Sequence, residues 1–513
     1  MLLAVFVVGC AHKFGDVDEI IVSGEDARTE PDTRVPFDSR APRDTWFVED
    51  TAEPVEDVAV FDARPPVTPS TTKCSFARKW STQGATNDEI YAPADIAVDK
   101  AGNVYVAGAF HGKSDFGFGT VGGPLYGVFA LKLDKSGTPL WARTWSAAVE
   151  LGKTNYLQYG AMGLDPTGGI VLGGTVTGAL DLGGGSFPSS SFGIAFVKLD
   201  SDGNHEWSRR STGAKGGFLY GIAVDAAGNA TLAGGFDGPM DFGLGALTYV
   251  GDPWADYHYH DAFVARFDSA GRPLWNRSYG DSRAQSFQDL ALAPGGDIVL
   301  WGAGAGFVDF GGGALGAGAT SQQSFLVRLD AEGRHVFSRA FVSTGYPGQV
   351  MVTPGDDIVV AGSGRGEIAL GGPLLVAKDA MDGWVARYDG RGVHRWSQLF
   401  GGSSDDGLFG VTLLPDGSFL ASGMLGDQLS VAGKSIVGAG WDGMLVRLGA
   451  GGVVDSVDRF GDAKVQRIHR TAVAEDGKSF WMIGTFTGKI DVGTGPLTAS
   501  SLASDLFLAR CPL

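Results

Sequence analysis

From residue 74 onward, short apolar runs alternate with clusters of Gly, Asp and Ser, and the pattern recurs at a fixed period. Aligning Asn103, Gly169, Asn229, Asp297, Asp357, Ser418 and Ser479 gives spacings of 66, 60, 68, 60, 61 and 61 residues, hence seven copies. Alternating apolar positions and β-branched enrichment predict strands rather than helices, four to a copy. In copy one they are Asp95-Ile-Ala-Val-Asp99, Val104-Tyr-Val-Ala-Gly-Ala-Phe110, Phe129-Ala-Leu-Lys-Leu-Asp134 and Leu140-Trp-Ala-Arg-Thr-Trp145. Asp99-Lys-Ala-Gly102 and Asp134-Lys-Ser-Gly137 join strands one–two and three–four. The Asp side chain accepts a backbone bond two residues on and Gly takes the left-handed position, which makes both connections tight hairpins. Four consecutive antiparallel strands repeated radially predict an all-β, seven-bladed β-propeller with four antiparallel strands per blade.

The last copy is half a repeat. Asp505-Leu-Phe-Leu-Ala-Arg-Cys511 matches the third strand of copy three, Asp261-Ala-Phe-Val-Ala-Arg266, but no fourth strand follows. The missing strand is found before copy one, as Cys74-Ser-Phe-Ala-Arg-Lys-Trp80. The last blade is therefore expected to be closed by the N-terminal strand, three strands from one end and one from the other. Aligning Arg78 with Arg277 and Arg510 with Arg266 puts Cys74 and Cys511 at the positions of Pro273 and Phe267, which flank a hairpin turn. Cross-strand neighbours lie within disulfide reach, so a Cys74–Cys511 bond is expected to staple the ring.

These repeats resemble the bacterial seven-bladed β-propeller repeat. Gly102-Asn-Val-Tyr-Val-Ala-Gly108, Asp115-Phe116 and Asp261-Ala-Phe-Val-Ala-Arg266 carry the resemblance, which covers residues 74–513. It implies the fold and leaves activity open, because fold does not fix function. Copies five to seven depart most, with Glu367-Ile-Ala at the Asp-Phe-Gly element and Leu448-Gly in place of Leu-Asp.

Residues 1–10 read differently. An apolar run ends in Val7-Val8-Gly9-Cys10, which resembles a bacterial lipobox, although no basic residue precedes it. The resemblance implies lipidation of Cys10. Residues 11–72 hold 15 Asp/Glu against 6 Lys/Arg, a net of −9 within a chain total of −18. Such a segment buries too little apolar surface to offset chain entropy and is expected to be a disordered tether. The expected organisation is 1–10 signal and lipobox, 11–72 tether, 73–513 propeller. No stretch of about 20 apolar residues spans a bilayer. The lipobox resemblance, with Ala11 after the cysteine as in the enterobacterial sorting pattern, implies an exported protein at the bacterial outer membrane, an oxidising setting consistent with a disulfide. The net charge excludes nucleic acid as a partner, since phosphates demand a basic surface.

Candidate chemistry is sparse. Enzymes built on this fold converge ligands or acids on the central tunnel. The corresponding positions are Asp95, Ala161, Gly221, Asp289, Gln349, Gly410 and Thr471. Of these, Asp95, Asp289 and Gln349 are the polar candidates for the tunnel mouth, and two carboxylates fall short of a metal site. His205, His335 and His394 recur at one turn position on separate blades. Asp200-Ser-Asp-Gly-Asn-His-Glu206 reads as an ordinary turn rather than a calcium loop. Copy three breaks the pattern with an insertion, residues 251–260, carrying Trp254, Asp256, Tyr257, His258, Tyr259 and His260. This is the candidate contact loop; His258, His260 and Asp256 could also ligate a metal. The two–three and four–one connections are long and variable, and both lie on one face. Gly280-Asp-Ser-Arg283 and Gly401-Gly-Ser-Ser-Asp-Asp406 belong to it. Binding concentrates on such loops. The expectation is a monomeric, non-enzymatic binding or structural scaffold for a protein or glycan at the envelope, without cofactor. The alternative is an envelope enzyme of the propeller type: a lactonase, lyase or quinone-dependent dehydrogenase.

Overall fold

The computed structural model describes residues 72–83, 90–146, 156–188, 192–213, 215–251, 260–426, 428–431, 434–438, 440–500 and 504–513. Cys10, most of the tether, and Trp254, Asp256, Tyr257, His258 and Tyr259 lie outside them. The described residues belong to one compact unit, Pro66–Leu513.

Seven antiparallel blades follow one another. Blade one comprises Ile90–Val98, Val104–Asp115, Thr120–Leu133 and Pro139–Ser146. Blade two comprises Tyr156–Leu164, Ile170–Thr177, Gly193–Leu199 and His205–Arg210; blade three comprises Gly216–Val224, Ala230–Asp237, Asp261–Phe267 and Pro273–Tyr279. Blades four and five share one strand. Gln285–Leu292, Ile298–Asp309 and Ala314–Leu329 precede it, and Ile358–Ile368, Leu375–Tyr388 and His394–Phe400 follow it. That strand, His335–Val352, pairs outward in blade four and then inward in blade five. The loop expected between these two blades is absent, replaced by 18 residues of continuous strand. Blade six holds Gly407–Leu413, Phe419–Leu425, Asp442–Leu448 and Val454–Phe460. Blade seven holds Gln466–Val473, Ser479–Phe486 and Asp505–Pro512, and its fourth strand is Phe76–Trp80.

The closing strand pairs Phe76 with Arg510 and Trp80 with Leu506. Cys74 and Cys511 form a disulfide and both are buried. The register from which the bond was expected holds, since Phe267 pairs with Pro273 in blade three. Side chains of blades seven and one share one core, with Trp80, Trp481 and Leu508 against Val106, Phe110 and Phe129. Second strands are buried along their whole length in blades two and three, because each is covered on both faces by neighbouring blades.

Two devices repeat around the ring. The first is the Asp-Phe-Gly element, which is the start of an Asp-x-Gly-x-Gly hairpin. The Asp115 carboxylate accepts from the backbone N–H of Gly117 at 2.7 Å and Gly119 at 3.1 Å. Asp181, Asp241, Asp309 and Asp491 cap their hairpins the same way. Blade five has no such Asp. There Ala369-Leu-Gly371 occupies the site, with Leu370 buried where Phe116 sits in blade one, so the earlier alignment on Glu367 is two residues out of place.

The second device joins blades. In blade two, Trp207 Nε1 donates to Ser269 O at 2.9 Å and Arg209 Nε donates to Gly271 O at 2.8 Å, both in the three–four turn of blade three. The indole lies on Gly271, whose φ is +73°; a Cβ there would come within 2.6 Å of the ring. Trp141, Trp275 and Trp396 bond the corresponding turns of blades two, four and six. At the seam, Phe76 takes the Trp position on Gly137 and Arg510 Nη1 donates to Lys135 O at 2.8 Å. Blade six is the exception that fits. Blade seven has no three–four turn to hold, and register places Ser456 and Asp458 where other blades carry Trp and Arg. Asp458 instead receives the incoming chain, from Thr72 N–H at 3.2 Å and Thr72 Oγ1 at 2.9 Å.

Candidate functional site

The tunnel wall is built from the seven innermost strands. Each carries a β-bulge, with register shifts at Tyr91/Ala94, Tyr159/Ala161, Leu219/Gly221, Phe287/Asp289, Pro347/Val350, Leu408/Gly410 and Ile468/Arg470. Three residues before each strand's last residue stand Asp95, Ala161, Gly221, Asp289, Gln349, Gly410 and Arg470. The seventh member is Arg470, where Thr471 was expected. The cause is one extra residue in that blade's turn: Ala474 N–H bonds Ser479 O, five positions on, whereas Asp99 N–H bonds Asn103 O, four on. The ring also sits within the strands, at or just beyond the bulges, rather than at their starts.

These polar side chains are spent on the fold. Asp95 Oδ2 accepts from Tyr159 Oη at 2.7 Å and Met162 N at 3.2 Å, both in blade two. Asp289 Oδ2 accepts from Val350 N at 2.9 Å, and Gln349 Oε1 accepts from Val411 N at 2.9 Å. Each therefore staples its innermost strand to that of the next blade. Where the residue is small the strands approach instead: a Cβ on Gly221 would lie 3.0 Å from Leu290 N. Arg470 joins three blades, with Nε 3.6 Å from Asp95 Oδ1 and Nη1 donating to Phe409 O. Burial pushes the Asp289 carboxyl up to about 7, against the opposing pull of Arg470. Next to Arg470 in the chain, burial and the charges of Arg467 and Arg470 hold His469 down at about 3, a neutral imidazole bonded to Thr485 Oγ1 at 3.0 Å.

The three turn histidines are structural and far apart in the repeat. His205 and His335 bond Ser208 and Ser338 of their own strands, at 3.1 and 3.0 Å, and lie against Gly184 and Gly312 of the capped hairpins. His394 packs on Gly372 in the same way. The Asp200 segment is a turn, its carboxylate accepting from Asp202 and Asn204 N–H. Among the described residues no group of three or more His, Cys, Asp or Glu is placed to hold a metal ion. On the short-turn face an open depression of about 600 Å³ separates blades four and five. Its charges are matched internally. Arg328 bridges Asp297 at 2.8 Å and Asp356 at 2.9 Å, and Arg395 pairs with Asp389 at 3.2 Å.

On the opposite face, the four–one connections are pinned. Asp281 Oδ1 accepts from Arg283 N at 2.7 Å and Gln285 Nε2 at 2.6 Å, while Oδ2 accepts from Phe307 N at 2.7 Å. Asp462 and Gln466 repeat the arrangement in blade seven. Gly-Asp-x-x-x-Gln, present at 280–285 and 461–466, was the readable signal for this clasp. In the Gly401–Asp406 loop, Asp406 is wholly buried, accepts from Gly402 N and Gly426 N, and is pushed up to about 7 by that burial.

On this face, aromatic and polar side chains of blades three and four pack together. Phe218 and Tyr220 of blade three's innermost strand hold their rings near-parallel, 8° apart with centroids 6.2 Å apart. Tyr220 is the bulge residue of that strand. His260, the described end of the insertion, meets Phe218 edge-on at 4.8 Å and sets Nδ1 2.6 Å from Asp237 Oδ1. From blade four, Gln285 N–H bonds His260 O at 2.6 Å and Gln288 Nε2 bonds Ser286 Oγ at 2.5 Å. Gly235 lets them meet, since a Cβ there would lie 3.0 Å from Ser286 Cβ and 3.2 Å from His260 Cβ. Sequence reasoning found His260 and missed the aromatic pair, whose signal was Gly217-Phe-Leu-Tyr220 directly before the Gly221 tunnel position.

No family model and no curated protein matches the chain. Among solved structures, a polysaccharide lyase, the PL25 ulvan lyase, is 11% identical over 81% of this chain and 95% of its own, with a TM-score of 0.43. A mutant apocarotenoid oxygenase of Synechocystis is 10% identical over 83% of this chain and 97% of its own, with a TM-score of 0.35. The propeller assignment rests on the strand pairing above.

Proposed function

We propose that this chain is an exported propeller, attached to the outer membrane through a lipidated Cys10, that acts as a non-enzymatic binding or structural scaffold. Its ligand, a protein or a glycan, sits on the long-loop face. The observation that supports the non-enzymatic reading is the use made of the tunnel. Asp95, Asp289 and Gln349, the side chains an enzyme of this architecture would offer to substrate, each accept a backbone N–H from the next blade. A carboxylate so engaged gives up its strongest acceptor site to the fold. The difference between faces supports the placement of the ligand: one presents short turns of nearly one length, the other presents connections that differ from blade to blade.

Elemental analysis of the purified full chain tests the first part. The expected result is no stoichiometric transition metal or calcium; a bound ion at one per chain overturns the scaffold reading in favour of a propeller enzyme. Membrane fractionation tests the second. Cys10→Ser is expected to move the protein from the membrane to the soluble fraction, and retention at the membrane overturns the anchor.

A further inference from the structure

We propose that the Gly401–Asp406 loop on the long-loop face is a pH-sensitive latch, closed while the Asp406 carboxyl carries a proton and loosened when it gives that proton up. The inference adds regulation to the face that the scaffold reading assigns to the ligand, and its biological meaning rests on that reading. It starts from a substitution within the repeat. Gln285, Gln466 and Asp406 hold one position, because their backbone N–H groups donate to His260 O at 2.6 Å, Trp441 O at 2.6 Å and Met381 O at 2.5 Å. Each acceptor directly precedes an Asp: Asp261, Asp442 and Asp382. In blades four and seven the side chain at this position is an amide. It donates to the Asp four residues before it, Asp281 at 2.6 Å and Asp462 at 2.8 Å. In blade six the residue four before is Gly402, and a carboxyl has taken the amide's place. Asp406 is wholly buried and accepts from Gly402 N at 2.9 Å and Gly426 N at 2.6 Å. An amide offers donor and acceptor without charge; a carboxyl does so only when protonated.

The surroundings favour the neutral form. Asp382 and Asp406 flank the Gly401-Gly402 dipeptide. A Cβ on Gly401 would come within 1.9 Å of Asp382 Oδ1, and Gly402 supplies the N–H that Asp406 accepts. The counterparts of Asp382 in blades six and seven, Asp442 and Asp505, pair with Arg459 and Lys79 of the adjoining outer strands. Register puts Leu399 at that place in blade five. Among the described residues, the other ionisable groups about Asp406 are Asp405, next to it, and Arg365 of blade five's second strand. Arg365 Nη2 bridges Asp405 at 3.1 Å, and Asp405 also accepts from Met381 N at 2.9 Å. Asp379 and Asp427, close in sequence, lie outside the described side chains. Burial, and after it the charges of Asp382 and Asp405, push the Asp406 carboxyl up to about 7. Its ionisation would set a second negative charge in a buried place beside Asp382. In a loosened loop the same group would titrate in the usual range of about 4. Closure is therefore strongest below about pH 4, weakens about tenfold per pH unit up to about 7, and changes no further above that.

The test is hydrogen exchange on the full chain, read as protection factors between about pH 5 and 8 at the amides of Gly402, Asp406 and Gly426. Wild type, which needs no variant to fold, is expected to lose protection at these amides about tenfold or more across that range. The internal control is the blade-seven clasp, where Asp462 holds the Lys464 and Lys489 amides and Gln466 cannot ionise. Its protection is expected to stay level. Asp406→Asn, which restores an amide, is expected to flatten the profile, and Asp427→Asn is expected to leave it as in wild type. A flat wild-type profile, an equal loss at the blade-seven amides, a slope that persists in Asp406→Asn, or one abolished by Asp427→Asn overturns the latch. A flat profile in a chain without stoichiometric metal removes the latch and leaves the scaffold reading standing. A sloping profile in a chain that carries such an ion keeps the latch and removes the scaffold reading.

Discussion

Removing the Cys74–Cys511 bond should destabilise the ring through the unfolded state. The two cysteines are 437 residues apart in sequence. In the chain-entropy treatment the cross-link removes about 2.1 + 1.5R ln n cal/mol/K from the unfolded ensemble, which for this loop comes to about 6 kcal/mol at 25 °C, an upper bound. The seam should survive the loss. Phe76–Trp80 still pairs with Leu506–Arg510, and the shared core of blades seven and one is untouched. Cys74→Ser, Cys511→Ser and the double variant are therefore expected to fold, with urea midpoints well below that of the oxidised wild type. All three should agree closely, since either change removes the whole bond. Reduced wild type should join them. The assay is urea unfolding followed by tryptophan fluorescence, with thiol counting under non-reducing conditions. Two free thiols in the native protein would refute the pairing. Midpoints indistinguishable from wild type would refute the entropic argument while leaving the bond in place.

Three more expectations concern single side chains. Trp207→Ala should cost about 3–5 kcal/mol, as for other buried aromatics, while Trp207→Phe should cost nearer 1, since it keeps the packing on Gly271 and forfeits only the bond to Ser269 O; thermal or urea midpoints separate the two. Asp458→Ala should raise amide exchange at Thr72, which donates its N–H and Oγ1 to that carboxylate; unchanged exchange would show that Asp458 does not hold the incoming chain. Asp289 is held protonated more tightly in the folded than in the unfolded protein, so its contribution is full below about pH 4 and is lost as pH rises through about 7. Asp289→Asn keeps an acceptor for Val350 N–H and cannot ionise, so its midpoint should fall less than wild type's between pH 5 and 8; parallel profiles would refute this.

Most of the ring was legible because it is repeated. Recurring Asp-x-x-Gly turns and seven aligned copies fix turn type and strand order, and the two half-repeats fix the seam. What escaped was whatever occurs once or depends on neighbours in space. Lys478 lengthens one turn by a residue and moves Arg470 into the place given to Thr471. Tyr346 and its neighbours look like loop between two strand patterns, yet blade four's outer strand runs straight on into blade five. Asp289 reads identically as a ligand or as a staple until Val350 N–H is seen to occupy it. The Phe218–Tyr220 pair was hidden because a bulge resets the side-chain alternation on which strand faces are read.

The seam also sets a timetable. Phe76–Trp80 is the first propeller strand to be synthesised, and its partner, Asp505–Pro512, is among the last. Until then a five-residue edge has nothing to pair with, and Cys74 is a thiol without its mate. Oxidation that came early could pair Cys74 only with Cys10 or a foreign thiol. A ring of this design is thus suited to a route in which the whole chain is delivered first and oxidised afterwards, so that closure acts as a completion check. Chains truncated before residue 505 would be marked by a reactive cysteine at the head of blade seven's vacant outer edge.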